Sequence, residues 1–150
     1  MRATIVTDSA WESFGAWMEQ LIAESSGKVG KGIVPLANEP LQAVKEYSND
    51  RIFVYLRSDG SKDELIADLK SAKMPAIVLD VKSSYDLGGQ FYLWEVATAL
   101  ACITLGVNSF DQPDVQDNKT RTVNKINAFH ESGKLAEKEP AFLIGPVKIY

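Results

Sequence analysis

A glutamine and a lysine stand seven positions apart in the segment 106–119, GVNSFDQPDVQDNK. The segment is typical of a polar loop that leads into a helix, which would put Gln112 and Lys119 about two helical turns apart, roughly on one face. A neutral amide and an ammonium group directed at one point suit a polyhydroxylated anion such as a sugar phosphate. A solvated helix face has the same composition, so these residues alone leave both interpretations open.

The glycine-spaced stretch 27–32, GKVGKG, is a second candidate, because glycines let backbone amides approach a phosphate group. Its spacing matches neither the dinucleotide-binding fingerprint nor the nucleotide-binding P-loop, and it follows a predicted helix instead of a strand. We therefore interpret it as a flexible connection between a helix and a strand.

The remaining reactive side chains favour structural roles. His130 lies late on a predicted polar helix, where a solvated side chain is favoured. Cys102 lies in a predicted apolar helix, which is typical of a buried, unreactive thiol. Because the chain has one histidine and one cysteine, a multi-histidine metal centre, an internal disulfide and a cysteine-clustered zinc site are excluded, and no metal ion is expected. The three tryptophans fit helix packing, since a platform for stacking bases would need interleaved basic residues.

Strand and helix patterns alternate through the middle of the chain, which predicts an α/β fold with a mainly parallel sheet flanked by helices. Buried strands are predicted at 3–7, 51–56 and 75–81, with an extended segment at 33–36. The tail 141–150 also has strand character, interrupted at Gly145 and Pro146.

Four helices are predicted to accompany these strands. The first carries apolar residues at helical spacing and stops near Gly27; these residues are Phe14, Trp17, Met18, Leu21 and Ile22. Capping boxes at Ser9–Glu12 and Ser61–Glu64 are predicted to start the first two helices, the second running over 62–72. The helix 87–105 is apolar nearly all round, which predicts burial between layers, and a polar helix is expected to end near residue 131.

The segment 106–119 resembles the C-terminal signature of the glucose-6-phosphate isomerase family. The positions that match are Gly106, Asn108, Ser109, Phe110, Asp111, Gln112, Val115, Gln116 and Lys119. A second stretch, ESSGK at 24–28, is similar to the family's Glu-Ser-x-Gly-Lys motif. With WMEQLIAESSGKVGKGIVPL, RIFVYLR and YDLGGQF in order, residues 11–121 resemble the isomerase portion of bifunctional transaldolase/glucose-6-phosphate isomerase proteins.

The resemblance implies a three-layer, Rossmann-like sugar-isomerase (SIS) fold and interconversion of glucose 6-phosphate and fructose 6-phosphate. In the family a carboxylate base moves a proton between C1 and C2 through an enediolate, and no cofactor is involved. Lys119 matches the active-site lysine, which stabilises the developing oxyanion or assists ring opening. Gln112 matches the glutamine that contacts the substrate.

The resemblance also implies that parts of the site lie outside this sequence. We expect the base glutamate and the phosphate-binding loop in segments that precede the matched region. The family's ring-opening histidine follows the glycine-rich stretch, and the corresponding residues here, NEPLQ at 38–42, contain none. We therefore expect residues 1–150 to be a single SIS-like subdomain, the C-terminal part of a phosphoglucose isomerase domain, and to be inactive in isolation.

Composition is consistent with a globular protein of this kind. The 150 residues are 45% apolar and 24% charged, and the net charge of −4 favours no nucleic-acid or membrane partner. A cytoplasmic location is expected, with a sugar phosphate and the remaining isomerase or transaldolase segments as partners, and a homodimer through an exposed apolar face is a further hypothesis. The alternative function is a noncatalytic module that binds a sugar phosphate or acts as a scaffold. A small oxidoreductase finds little support, because no dinucleotide fingerprint or C-x-x-C motif is present.

Overall fold

Four parallel strands form one sheet in the order β2-β1-β3-β4 in the computed structural model, which describes residues 1–28, 30–134 and 139–149. The strands are β1 (Arg2–Thr7), β2 (Val34–Ala37), β3 (Arg51–Arg57) and β4 (Ala76–Asp80). In the central pair, Ile5 of β1 stands opposite Val54 of β3. The predicted α/β fold with a parallel sheet is confirmed.

The sheet belongs to the first of two compact units, Met1–Gln112, which we call the sheet unit. It also contains the helices α1 (Glu12–Ser26), α2 (Asp63–Ser71) and α3 (Leu87–Leu105). The second unit, Pro113–Tyr150, is called the helix–hairpin unit. The expectation of a single subdomain over residues 1–150 stays a prediction.

Helices cover both faces of the sheet because alternate strand residues point to opposite sides. Ile5 packs with Phe14 and Met18 of α1 in one buried cluster. The next residue of β1, Val6, packs in a second cluster with Ile66 and Leu69 of α2. The predicted apolar face of the first helix is confirmed, since its members are buried or half-buried.

Neither predicted capping box is formed. A single turn of 3₁₀-helix precedes α1, and the Ser9 side chain makes no capping bond at either helix start. The helix α2 begins at Asp63, and the Ser61 hydroxyl donates to Asp8 Oδ1 at 2.8 Å. The Ser61 hydroxyl, which local spacing predicts to cap a helix, is therefore bonded to the buried carboxylate of Asp8, the residue that follows β1.

Burial of β4 and α3 is lower than the sequence predicts. As the edge strand of the sheet, β4 leaves Ile77 46% exposed. The helix α3 has the predicted bounds, but only Thr98 and Cys102 are buried, and Ile103 is 73% exposed. One face of α3 packs on α1, and its other faces carry exposed apolar side chains such as Leu100 and Ile103.

The helix–hairpin unit contains α4 (Pro113–Ser132) and an antiparallel pair, β5 (Phe142–Ile144) and β6 (Val147–Ile149). The predicted polar helix and strand-forming tail are confirmed, although Tyr150 of that tail lies outside the described residues. No residue of α4 is buried. Across the described part of the chain, no helix is long and apolar enough to cross a membrane.

Candidate functional site

Two motifs that are distant in sequence meet in the sheet unit. The motif ESSGK forms the C-terminal end of α1 and the residues after it, and the loop 106–112 follows α3. The Gln112 amide Nε2 donates to Glu24 Oε2 at 3.5 Å, across 88 positions of sequence. Both side chains are exposed, so a carboxylate and an amide share one accessible surface.

A buried ammonium group lies on the inner side of this contact. The Lys28 side chain is almost fully buried, and its Nζ donates to the backbone carbonyls of Asn108 and Asp111. The same nitrogen is 3.1 Å from Asp111 Oδ1. The two motifs are therefore joined by a charge-assisted contact beneath an exposed polar one.

Within the glycine-spaced stretch, Lys28 and Lys31 are paired through their backbones, and this pairing helps to position Lys28. The backbone amides of Lys28 and Lys31 each donate to the other's carbonyl, at 3.0 and 2.9 Å. Gly32 packs so closely that a Cβ atom there would lie 3.1 Å from the Gly27 Cα. Because the Lys28 and Lys31 amides are already paired, they do not form a phosphate cradle, in agreement with the structural interpretation of this stretch.

The loop 106–112 is built by local contacts as well. Gly106 ends α3 in the left-handed conformation, with φ of 69°. The Asn108 Oδ1 accepts the backbone amide of Phe110 at 3.0 Å, which closes a turn just before Gln112. The Lys31 Nζ donates to the Leu105 carbonyl at 2.9 Å and so satisfies one of the last carbonyls of α3.

Glu24 is the residue that sequence reasoning missed. Gln20 donates to its Oε1 at 3.2 Å and Gln112 to its Oε2, so each carboxylate oxygen has a neutral amide donor and spare lone pairs. An exposed carboxylate of this kind can accept a proton from a bound molecule. Its position at the head of ESSGK was visible in the sequence, but its contact with Gln112 was not.

The two predicted site residues fall in different units. Gln112 immediately precedes α4 and does not lie on the helix, whereas Lys119 is an exposed residue of α4. The prediction that both occupy one helix face is therefore wrong, because the helix starts at Pro113. Their roles toward a substrate stay predictions.

The residues assigned structural roles are placed accordingly. His130 is exposed on the last turn of α4. Cys102 is fully buried, and burial raises the pKa of its thiol. In the described residues, no three histidine, cysteine, aspartate or glutamate side chains are grouped so that they could hold a metal ion.

A cavity of about 560 Å³ opens at the carboxyl ends of the strands, where open parallel sheets commonly bind ligands. Its lining contains four aromatic rings, those of Trp11, Phe14, Trp17 and Phe91. The one charged side chain among its lining residues is Lys82, and none of them is a carboxylate. Proton transfer by a carboxylate is therefore better supported at Glu24 than in this cavity.

The comparisons with known proteins point to one enzyme name. No protein-family model matches the chain. The glucose-6-phosphate isomerase of Heliobacterium modesticaldum is 28% identical over 93% of this chain and 39% of its own length. The probable glucose-6-phosphate isomerase of Haloarcula marismortui is 25% identical, over 85% of this chain and 38% of its own length. The glucose-6-phosphate isomerase of Clostridium tetani is 27% identical, over 71% of this chain and 32% of its own length.

A solved structure supports the fold. A hypothetical protein from Thermus thermophilus superposes with a TM-score of 0.68 and 19% identity, covering 83% of this chain and 41% of that protein. This likeness shows a Rossmann-like α/β fold. The chain spans about a third to two-fifths of the length of the curated relatives named here, all of which carry the name glucose-6-phosphate isomerase.

Proposed function

We propose that this chain is part of a glucose-6-phosphate isomerase and supplies catalytic groups to a site completed by other segments. The observation that carries the proposal is the contact between the exposed Glu24 carboxylate and the Gln112 amide. The names of the curated relatives support the same reaction class, aldose–ketose isomerisation. The proposal places the chain in the cytoplasm with a sugar phosphate as its ligand.

In this proposal Glu24 is the base that was expected outside the sequence. Its carboxylate takes the proton from C2 of the open-chain aldose, and the electron pair of that C–H bond forms the C1–C2 double bond of an enediolate. The π electron pair of the C1 carbonyl moves onto O1 as the enediolate forms. Transfer of the O2 hydroxyl proton to O1 and return of the abstracted proton to C1 then give the ketose. Gln112 orients the hydroxyl-bearing end of the substrate next to Glu24, and Lys119 stabilises the developing oxyanion or assists ring opening.

The proposed site is incomplete in this chain. Residues 38–42 supply no histidine for ring opening, and the phosphate-binding loop is assigned to a segment outside the matched region. The match covers less than two-fifths of each of these relatives, which supports a site divided between this chain and other segments. The partner is the rest of such an isomerase, in the arrangement with transaldolase that the sequence resembles.

The test is a coupled assay that converts fructose 6-phosphate to glucose 6-phosphate. It is run on this chain alone, on the part of the Heliobacterium modesticaldum relative that the match leaves uncovered, and on the two together. We expect turnover only in the mixture, because the base and the phosphate loop then meet. Robust turnover by this chain alone would refute a divided site.

The alternative is a noncatalytic module that binds a sugar phosphate or serves as a scaffold. The absence of a histidine from residues 38–42 favours it. Failure of the mixture to turn over, with both polypeptides folded and associated, would support this alternative and contradict the isomerase.

A further inference from the structure

Lys28 is a buried charged group to which the proposed reaction gives no role. Its residue is 4% exposed, although a lysine is seldom buried unless its charge is paired. An ammonium group has three N–H donors. Among the described residues, the acceptors of the Lys28 ammonium group come from the loop 106–112, namely the carbonyls of Asn108 and Asp111 and the carboxylate of Asp111.

These contacts fix the register between two short stretches. Glu24 lies in the last turn of α1 and Lys28 lies two residues beyond the helix, while Asp111 directly precedes Gln112. A bond from Lys28 to Asp111 therefore holds Gln112 near the level of Glu24. The exposed contact between Glu24 and Gln112, at 3.5 Å, is too long to hold the loop by itself.

We propose that Lys28 is a positioning residue that clamps the loop 106–112 so that Gln112 stays beside Glu24. The clamp consists of the Lys28 ammonium group with its acceptors on Asn108 and Asp111. Its catalytic consequence rests on the proposed isomerase function, whereas its structural consequence does not. Lys28 touches neither substrate nor reacting atoms in this proposal.

Lys31 provides a matched control in the same glycine-spaced stretch. Its ammonium group donates to the Leu105 carbonyl at the end of α3 and not to the residues that hold Gln112. Lys31 is exposed, whereas Lys28 is buried. Lys28→Met and Lys31→Met therefore make the same chemical change and differ in whether the clamp is removed.

The first measurement uses the isotope-labelled full chain and needs no activity. We expect Lys28→Met to speed hydrogen exchange of the Phe110 amide at least about tenfold, since about 1.4 kcal/mol corresponds to a factor of ten and a buried charged contact exceeds this. The nuclear Overhauser contact between the Gln112 amide and Glu24 should also disappear. In Lys31→Met both should stay as in the unsubstituted chain, and strand amides of β1 and β3 should be unchanged in both variants.

A milder variant covers the case in which Lys28→Met fails to fold. Asp111→Ala removes one of the three acceptors from an exposed side chain and leaves both carbonyls. We expect a smaller acceleration of Phe110 exchange in the same direction. Phe110 exchange in Asp111→Ala that equals the unsubstituted chain, or exchange in Lys28→Met that equals Lys31→Met, would overturn the clamp.

The second measurement uses the complemented isomerase, which is this chain mixed with the part of the Heliobacterium modesticaldum relative that the match leaves uncovered. Lys28→Met should lower kcat about 10–100-fold with a KM within about threefold, because a small misplacement of catalytic groups costs rate. Lys28→Arg should recover part of the loss, since it keeps a cationic donor at the clamp. Equal kcat values for Lys28→Met and Lys31→Met would overturn the catalytic consequence. If the unsubstituted mixture shows no turnover, this result contradicts only the proposed isomerase function. The clamp is tested separately by the hydrogen exchange of Phe110.

Discussion

Asp8 and Glu24 are two carboxylates of the sheet unit with opposite surroundings. Asp8 is fully buried and accepts the Tyr55 hydroxyl at 2.6 Å and the Ser58 and Asp59 amides at 2.7 and 2.8 Å. Burial acts to raise the pKa of Asp8, but these hydrogen bonds and that from Ser61 outweigh it and hold the pKa well below its usual range. Glu24 is exposed, and its donors within the described part of the chain are two neutral side-chain amides.

The difference separates a structural carboxylate from one that can do chemistry. Asp8 has its acceptor capacity occupied in holding the loop after β3, and its lowered pKa makes it a weak base. Glu24 is exposed and keeps acceptor capacity beyond its two hydrogen bonds, which a general base needs. We therefore interpret the buried, fully bonded Asp8 as a stabilising residue, and the accessible, partly bonded Glu24 as the residue that fits the proposed base.

The largest expected effect is the loss of turnover when Glu24 is substituted. In the complemented isomerase, Glu24→Gln should lower kcat about 10²–10⁴-fold, because the amide cannot accept the substrate proton. Lys119→Met should lower kcat as well, while the free energy of unfolding of both variants stays within about 0.5 kcal/mol of the unsubstituted chain. Steady-state kinetics and urea unfolding measure both quantities.

Glu12→Gln is the control for Glu24→Gln, because Glu12 is an exposed glutamate of α1. Lys125→Met is the control for Lys119→Met, because Lys125 is an exposed lysine of α4. They should leave kcat within about twofold. If Glu24→Gln retained full turnover, the base would have to lie elsewhere, and the contrast between the two carboxylates would carry no functional meaning.

The second effect is on stability at Asp8. Asp8→Asn should lower the free energy of unfolding by about 2–4 kcal/mol at pH 7, because the NH2 group that replaces one carboxylate oxygen cannot accept from the buried donors that faced that oxygen. The folded pKa of Asp8 is lowered, so its contribution is complete above the unfolded pKa of about 4 and is lost as the pH falls below that value. Urea unfolding at pH 7, 5 and 3.5 should show the difference between the two proteins shrinking only at the lowest pH. A difference that did not change with pH would contradict a carboxylate-specific role.

The smallest effect is at Tyr55, one of the donors to Asp8. Its hydroxyl also accepts the Lys62 amide at 3.2 Å, and burial followed by the bond to Asp8 raises the pKa of this hydroxyl, so it stays protonated as a donor. Tyr55→Phe should lower the free energy of unfolding by about 1–2 kcal/mol in the same urea experiment. Tyr85→Phe, at a residue 95% exposed, should change it by less than about 0.5 kcal/mol. Equal effects of the two substitutions would show that the Asp8 network does not depend on its tyrosine.

Local sequence pattern was sufficient for the central elements. The β-branched and aromatic residues of β3 and the helical spacing of Phe14, Met18 and Ile22 describe properties of neighbouring residues, and the structure confirms them. The capping box at Ser61 failed because Asp8, 53 positions away, competes for its hydroxyl. A one-dimensional pattern does not contain that competition.

The burial of α3 and the geometry of the candidate site depend more on long-range contacts than the central strands and helices do. An apolar composition identified α3 correctly as a helix, but exposure at Ile103 depends on which layers surround the helix. Gln112 became a candidate from its spacing to Lys119 and from a resemblance, whereas its contact with Glu24 required the structure because 88 positions separate the two residues. The clamp at Lys28 could not be foreseen, since its turn was interpreted only as a connection.

The burial of Cys102 has a consequence for how the sheet unit opens. Its Sγ lies 3.4 Å from the Ser25 carbonyl, at the packing of α1 against α3, and the chain has no other thiol. Because an alkylating reagent reaches this sulfur only when the two helices separate, the rate of alkylation in the native protein measures the free energy of that local opening. The chain therefore carries a natural kinetic probe of the helix pair whose end holds Glu24, and the probe requires no substitution.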